Sequence, residues 1–407
     1  MADALAGIRV LDFTRVVAGP FAGQMFGDLG ADVIKVERRG GGDDIRQSGP
    51  PWMRNSDGSE SDQSTYVQGM NRNKRSLTVD FTNPAGVELL HKIASKCDVF
   101  IENFRTGTLA KYGLGYEDIR RINPAIVYCS ITGFGQTGPY SDRSGYDYLI
   151  QAMGGAMSVT GVPDGEPGAG PMRIGLPVSD ILGGMNAMVG ILAALRHAER
   201  TGIGQHVDIA LLDAQISALM NPMMTWLNAG IETGRTGNKS PNAVPYGPYK
   251  TADGFVLLAT SNDREFLRLA EVVGHPEWGA DPRFQRSADR VANRRELEAT
   301  LTAIIAARPS ADWIAAFNAA KVSCGPINRM ADIEADPHVN ARDMMIAMPH
   351  PAYGAVKLVG SPLKLSETPV QYRKLPPLPG EQSREILREL ADVDDAAFDA
   401  LVAAEIL

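Results

Sequence analysis

One aspartate in this 407-residue chain stands at a position suited to chemistry, at the start of a long apolar segment. Apolar residues recur at helical spacing over residues 181–195, directly after Asp180, which predicts a buried helix. Pro177 and Ser179 are typical of a helix start, and Gly202 of a helix end. Because the positive end of a helix favours negative charge, we expect the Asp180 carboxylate to be ionised. Its position alone fits either a nucleophile or a simple helix cap.

Cations form the second chemical feature of the sequence. They follow predicted strands, at Arg38, Arg39, Lys74, Arg75 and Arg105. Arginine pairs with phosphate through a planar fork, so the group predicts a phosphate-bearing ligand, although each cation alone also fits a solvated surface. The first strand-to-helix turn lacks GxGxxG, and the chain lacks GxxxxGKS/T. These absences argue against a dinucleotide and against a nucleotide bound in a P-loop.

Strands and helices alternate in the first part of the chain. Short apolar runs predict strands at residues 8–14, 31–37, 97–104 and 125–132, and the segments between them predict helices at residues 21–29, 84–96 and 116–123. This order predicts a doubly wound, Rossmann-like α/β domain with a parallel sheet. Ligands bind such sheets at the carboxyl ends of the strands. The loops at these ends are residues 15–20, 37–44 and 102–107.

Changes in composition divide the chain into three parts. We assign residues 1–220 to the large α/β domain and residues 226–325 to a smaller, inserted α/β domain. Residues 330–407 return to the large domain and end in an amphipathic helix near residues 383–390.

Overall composition narrows the possible partners and locations. A formal net charge of -8 disfavours nucleic-acid binding. No leader or apolar run of membrane-spanning length is evident, so we expect neither secretion nor a membrane partner. Three separated cysteines suggest reduced thiols in the cytoplasm, and the six histidines lack ligand spacing, so no metal is expected.

Several motifs in order carry a family resemblance. They are GIRVLDFTRVVAGP, GADVIKVERRGGGD, NRNKRSLTVDF, DVFIENFRTG, NPAIVYCSITGFGQTGPY, GYDYLIQAMGG, the Asp180 segment and RTGIGQHVDIALLDA. Together they resemble the class III CoA-transferases, a group that includes formyl-CoA and carnitine CoA-transferases. The resemblance covers nearly all of residues 5–220, and SCGPINRMADIEADPH and PLPGEQSREIL extend it towards the C-terminus.

The resemblance implies that Asp180 is the catalytic nucleophile. Its carboxylate would attack an acyl-CoA thioester to form a mixed anhydride, which the released CoA thiolate would convert into an aspartyl-CoA thioester. An acceptor acid would then collect the CoA, so one difficult exchange is divided into easier covalent steps. The CoA thioester would be a substrate, with no permanently bound cofactor, and the subunits would form an interlocked homodimer.

The resemblance also implies which positions bind CoA. They are Val17, Ala18, Arg38, Val79, Asp80, Phe81, Thr82, Asn103, Phe104, Arg105, Lys111, Arg143, Tyr146 and Asp147. The formyl-CoA enzymes have glutamine where Val17 stands and a glycine-tetrad loop that is not found here. Both departures argue against oxalate and formyl-CoA as the native pair.

Two other functions remain open at this point. The α-methylacyl-CoA racemases share the fold and resemble the first half of the chain, but they have histidine in the triplet that reads Gly145-Tyr146-Asp147 here. A tyrosine is a poor replacement for that proton-transfer base. A noncatalytic acyl-CoA-binding protein is the third possibility. Such a protein would tolerate loss of Asp180, so the presence of this residue argues against it.

The substrate acid is the least constrained part of the sequence interpretation. The segment GYDYLIQAMGGAMSVTG is closer to dicarboxylate-type transferases than to the formyl-CoA enzymes, which favours succinyl-CoA or a similar dicarboxyl-CoA donor. Arg235 and Lys239, in the loop GRTGNKSPN, are candidates to bind the far carboxylate, or else belong to a solvated loop.

Overall fold

A six-stranded parallel sheet organises the larger part of the chain, in a computed structural model that describes residues 3–407. The strand order is β10-β7-β6-β1-β2-β5, and every neighbouring pair in it is parallel. The strands along the chain are β1 (Arg9–Asp12), β2 (Asp32–Glu37), β3 (Trp52–Arg54), β4 (Glu60–Ser64), β5 (Lys74–Thr78), β6 (Val99–Glu102), β7 (Val127–Thr132), β8 (Gly161–Val162), β9 (Gly170–Pro171), β10 (His206–Ala210), β11 (Tyr246–Lys250), β12 (Phe255–Ala259), β13 (Cys324–Pro326), β14 (Met345–His350) and β15 (Gly354–Val359).

Helices connect these strands and cover the sheet. They are α1 (Ala18–Asp28), α2 (Thr65–Gln68), α3 (Pro84–Ala94), α4 (Tyr116–Ile122), α5 (Asp147–Met153), α6 (Ala156–Val159), α7 (Val178–Thr201), α8 (Leu211–Ser217), α9 (Met220–Ala229), α10 (Asp263–Val272), α11 (Ser287–Ala292), α12 (Arg294–Ile305), α13 (Ser310–Ala319), α14 (Met330–Ala335), α15 (Pro337–Ala341), α16 (Ser383–Ala391) and α17 (Asp395–Ala403). Short 3-10 helices occur at Asp44–Gln47, Leu109–Tyr112 and Pro276–Gly279.

The chain divides into two units. The first contains Met157 and the described residues before it, together with Arg173–Ile231 and Asn340–Leu407. The second contains Ser158–Met172 and Glu232–Val339. The segment of residues 158–172, which the sequence analysis placed within residues 1–220, thus groups with the second unit.

Alternating side chains give the main sheet two apolar faces. On β1, Val10 belongs to the core beneath α1 and α7, while its neighbour Leu11 belongs to the core beneath α3 and α16. On β2, Val33 and Ile34 divide in the same way. Successive residues of a strand point to opposite faces, so a sheet covered on both sides requires apolar residues at nearly every position. The predicted doubly wound α/β fold is confirmed.

Helix α7 is the long apolar helix that the sequence predicted. It begins after Pro177 and ends at Gly202, whose φ of 71° is the left-handed conformation that glycine adopts without strain. Its residues Ala187, Met188 and Ile191 are buried in the core beside the sheet. By length and composition it is also the one helix within residues 3–407 that could cross a membrane, a test that buried core helices pass as well.

The second unit has a sheet and a core of its own. Strand β12 pairs antiparallel with both β11 and β13. Val256 and Leu258 on β12 are fully buried, and they share a core with Phe266 from α10 and with Trp313 and Phe317 from α13.

Candidate active site

Asp180 lies in the first turn of α7. A side chain from another helix, α5, caps this turn. The preceding residue, Pro177, supplies no side-chain cap. Instead, Asp147 at the start of α5 accepts the backbone N–H of Ser179 at 2.8 Å and that of Asp180 at 3.3 Å through one carboxylate oxygen. Gln151 donates to the other oxygen at 2.7 Å. These bonds satisfy helix-start donors and fix the backbone that carries Asp180.

A cavity of about 190 Å³ lies beside Asp180, at the carboxyl ends of the main strands. Its lining consists of Arg15, Val16, Val17, Ala18, Asp44, Asn103, Phe104, Arg105, Thr106, Ile131, Thr132, Gly133, Arg143, Ser144, Gly145, Tyr146, Asp180 and Leu211. Two glycines permit its walls to approach closely, because a Cβ added at Gly133 would lie 2.6 Å from the Cα of Gly145. Open α/β sheets generally bind their ligands at the carboxyl ends of the strands, which is where this cavity lies.

The environment of Asp180 disfavours its charged form. Burial raises the pKa of its carboxyl, the nearby negative charge of Asp147 raises it further, and together they bring it to about 7. Within residues 3–407, no cation lies within ion-pair distance of this carboxylate. The expectation that the helix end would keep Asp180 ionised holds only in part, because burial and a like charge outweigh the helix dipole and leave the carboxyl partly protonated near neutral pH.

The loop between β1 and α1 is held by buried polar side chains. Val16 has a φ of 69°, an unfavourable backbone conformation for a β-branched residue. Its N–H donates to Asp43 at 3.0 Å, while Asn103 accepts from Arg15 N at 2.8 Å and donates to Arg15 O at 2.7 Å. Lys35 donates to Thr14 O at 2.9 Å. These contacts fix the wall from which Val17 and Ala18 line the cavity.

Most predicted CoA-binding residues lie around two neighbouring cavities. Those lining the cavity beside Asp180 are Val17, Ala18, Asn103, Phe104, Arg105, Arg143 and Tyr146. Arg38 and Phe81 line a second cavity of about 80 Å³, whose wall also includes Arg15 and Phe104.

The remaining predicted residues do not line either cavity. Val79 is buried in the core, Asp80 accepts hydrogen bonds from Thr82, and Lys111 is an exposed residue of a 3-10 helix. Asp147 holds the start of α7, so the structure gives it a positioning role rather than a contact with the cavity.

Sequence reasoning missed Arg15, Val16 and Asp43 as contributors to the site. Arg15 and Val16 lie in the strand-end loop RVVAGP, and Asp43 lies in the loop ERRGGGDD, so the strand-end rule selected the right segments. Nothing in their spacing indicates that Asp43 would bind an amide 27 residues away.

Comparison with known proteins gives one consistent assignment. The family profile described as CoA-transferase family III matches residues 5–383. Succinate--glutarate CoA-transferase of Agrobacterium fabrum (strain C58) is 43% identical over 393 residues, which are 97% of this chain and 97% of that protein. Succinyl-CoA:glutarate CoA-transferase of Mus musculus is 39% identical over 99% of this chain and 90% of its own.

A solved structure supports the same assignment. A CAIB/BAIF family protein from Brucella suis superposes with a TM-score of 0.85 at 40% identity, covering 96% of this chain and 100% of that one. The agreement spans both sequence and fold over nearly the whole length. This chain belongs to CoA-transferase family III.

Proposed function

We propose that this protein transfers CoA from a dicarboxyl-CoA, such as succinyl-CoA, to another carboxylic acid, with Asp180 as the nucleophile. The observation that carries the proposal is Asp180 itself, a half-buried carboxylate beside a cavity that is also lined by Val17, Ala18 and Arg105. Its raised pKa makes the carboxylate a stronger base than an exposed aspartate, while a useful fraction remains ionised near neutral pH.

The proposed reaction proceeds by four balanced exchanges. The Asp180 carboxylate attacks the thioester carbonyl and releases CoA thiolate, which leaves a mixed anhydride. The thiolate attacks the Asp180 carbonyl carbon and releases the first acid as its carboxylate, which leaves an aspartyl-CoA thioester. The acceptor carboxylate repeats the first step on this thioester, and CoA thiolate then attacks the acceptor carbonyl. The products are the new thioester and free Asp180.

Backbone donors at the start of α1 suit the oxyanions of these steps. The first helical bond of α1 runs from Phe21 N to Val17 O at 2.9 Å, so the amides of Ala18 and Gly19 precede the helical ladder. Val17 and Ala18 line the same cavity as Asp180. N–H groups at a helix start stabilise negative charge that develops in a transition state.

The choice of substrate class rests on the relatives. The A. fabrum and mouse proteins are named for CoA transfer involving succinate or succinyl-CoA and glutarate. A Haloarcula hispanica protein, 37% identical over 400 residues, is named succinyl-CoA:mesaconate CoA-transferase. These names support the dicarboxylate class and favour CoA transfer over racemisation or noncatalytic binding.

We also propose that the protein acts as a homodimer in the cytoplasm. Helix α9 has no buried residue, and it exposes Trp226 to 53% and Leu227 to 66%. A row of exposed apolar side chains is typical of a surface that another subunit covers. Light scattering with the Leu227→Glu variant tests the dimer, which this charge should weaken.

The cysteines support the proposed location in the cytoplasm. Free thiols at Cys97, Cys129 and Cys324 are typical of a reducing compartment.

A donor-only incubation tests the chemistry. Protein mixed with succinyl-CoA and no acceptor should release one succinate per active site and retain CoA on Asp180. Hydroxylamine should then convert that residue into a hydroxamate, which peptide mass spectrometry locates. The Asp180→Asn variant treated in parallel should release no succinate. Modification at another residue, or succinate release without retained CoA, would contradict the proposal.

A further inference from the structure

A dicarboxylic acyl group brings a second negative charge into the cavity beside Asp180. An unpaired carboxylate in a half-enclosed site loses hydration without compensation, so tight binding requires a cation near its far end. This requirement rests on the proposed function, which supplies the dicarboxylate. Three cations line the cavity: Arg15, Arg105 and Arg143.

Arg15 already has a carboxylate partner. Its guanidinium lies 3.3 Å from Asp44 and stacks over Phe104, 4.5 Å from the ring centre. Asp44 also binds Arg38, at 2.8 Å. The charge of Arg15 is therefore partly neutralised, and its side chain is held on the side of the cavity near Arg38.

Arg105 lines the cavity beside Asp180 but not the smaller one. It directly follows Phe104, and Phe104 lines both this cavity and the smaller one with Arg38 and Phe81. A cation and two aromatic rings at this end suit the phosphates and base of CoA, as predicted from the motifs.

In the part of the chain that the structure describes, Arg143 differs from Arg15 in having no carboxylate partner, and from Arg105 in lying against two aromatic rings. Its guanidinium lies 4.5 Å from the ring centre of Tyr140 and 5.3 Å from that of Phe134, and Phe134 is buried. Over residues 3–407, no carboxylate lies within ion-pair distance of it. The rings hold the cation by cation–π attraction while its N–H donors remain available.

The chain beyond Arg143 leads directly to the nucleophile. Tyr146 lines the cavity, and the next residue, Asp147, binds the backbone N–H groups of Ser179 and Asp180. Arg143 is therefore four residues from a fixed contact with the first turn of α7. This segment connects the cavity lining at Arg143 and Tyr146 to the backbone that carries Asp180.

We propose that Arg143 binds the far carboxylate of the dicarboxylic acyl group and so determines the choice of acid. A bidentate guanidinium–carboxylate pair fixes the distance from that carboxylate to the carbonyl that Asp180 attacks, which selects acyl chains by length and charge. Arg235 and Lys239, the candidates from the sequence, already bind Asp164 and Glu298 within the second unit.

Acceptor competition with the Arg143→Gln variant tests this assignment. Glutarate and its monomethyl ester have the same chain, but the ester lacks the second charge. We expect Arg143→Gln to lower kcat/KM for glutarate about 10- to 100-fold, since it removes a charge-assisted pair, and to leave the ester rate unchanged. Arg143→Lys should restore part of the glutarate rate.

Matched variants separate this role from general damage. Arg105→Gln should raise KM for the CoA thioester equally with both acids, and Arg120→Gln, an exposed arginine on α4, should change neither rate. Equal losses with both acids in Arg143→Gln, or an unchanged glutarate rate, would overturn the assignment. If the parent enzyme discriminates poorly against the ester, Arg143 has no charge-selective role. A parent that exchanges CoA between no acids would instead overturn the proposed function.

Discussion

Asp43 is fully buried and Asp180 is half-buried, but among the described residues only Asp43 has a cation beside it. Lys35 lies 2.9 Å from Asp43, and both side chains are 0% exposed. Burial raises the pKa of Asp43, but the charge and hydrogen bond of Lys35, together with the backbone N–H groups of Val16 and Ile45, hold the pKa below its ordinary value. Asp180 has Asp147 as its charged neighbour, and its pKa rises to about 7. A partnered carboxylate serves as scaffold, whereas an unpartnered one is available for reaction.

The partnered carboxylate also shapes the site of the unpartnered one. A β-branched residue in the left-handed region costs on the order of 1–3 kcal/mol, so Val16 keeps its φ of 69° because Asp43 and its neighbours hold it there. The same loop presents Val17 and Ala18 to the cavity. The buried pair Lys35–Asp43 therefore supports the cavity wall that Val17 and Ala18 line.

Removing the unpartnered carboxylate should give the largest effect on activity. Asp180→Asn preserves size and helix position but cannot form an anhydride. We expect kcat for CoA transfer to fall at least about 1,000-fold, since no other group supplies the covalent step. Initial rates of glutaryl-CoA formation from succinyl-CoA and glutarate, separated by chromatography, measure the loss. A variant with more than a tenth of the parent rate would show that Asp180 is not the nucleophile.

Stability provides the control for this variant. The pKa of Asp180 lies above the ordinary aspartate value, so the native state binds this proton more tightly than the unfolded chain. The ionised form therefore lowers stability in full above pH 7, and this cost declines as pH falls from 7 towards the ordinary aspartate value of 3.8. We expect Asp180→Asn to have a Tm at pH 8 equal to or above that of the parent, with a smaller difference at pH 5.

The contrast between these two aspartates also shows what sequence reasoning can reach. The ends of α7 were predictable because Pro177 and Gly202 act within one turn of the helix. The position of the site followed from the order of strands, which fixes where their carboxyl ends meet. These features depend on local patterns or on topology.

Contacts between distant segments could not be predicted. Asp43 and Val16 belong to separate strand-end loops, and neither residue type indicates the other. The pKa of Asp180 depends on burial and on Asp147, which precedes it by 33 residues. The carboxylate partner of Arg235 lies 71 residues away in the chain. Such effects require the packed structure, because burial and charge separation are properties of three-dimensional positions.

Removing the cation beside Asp43 should give the next largest effect, on stability. Lys35→Met leaves a buried carboxylate without its partner, and such a loss costs about 3–5 kcal/mol. We expect a clear drop in Tm at pH 7.5 and a less rigid loop at Val16, because Asp43 accepts the N–H of Val16. Scanning calorimetry of the purified variant measures the drop.

Lys92→Met is the matched control for the buried lysine. Lys92 pairs with Glu88 at 3.2 Å on the exposed side of α3, with side chains that are 49% and 72% exposed. Exposed pairs contribute about 0–1 kcal/mol, so its Tm should stay close to that of the parent. Equal Tm values for the two variants would show that the Lys35–Asp43 pair is not the scaffold described above.

The smallest effect should come from the charge of Asp147. Asp147→Asn keeps an oxygen that accepts the N–H of Ser179, but it removes the negative charge that raises the pKa of Asp180. Burial is the larger cause of that raised pKa, so the acid limb of kcat/KM should move to lower pH only in part, with kcat on the plateau retained. Asp213→Asn, at an exposed aspartate on α8, should leave the limb in place. If the acid limb of kcat/KM stays at the same pH in Asp147→Asn, a group other than Asp180 controls it. The proposed contrast between the pKa values of Asp43 and Asp180 would then not explain the pH dependence of activity.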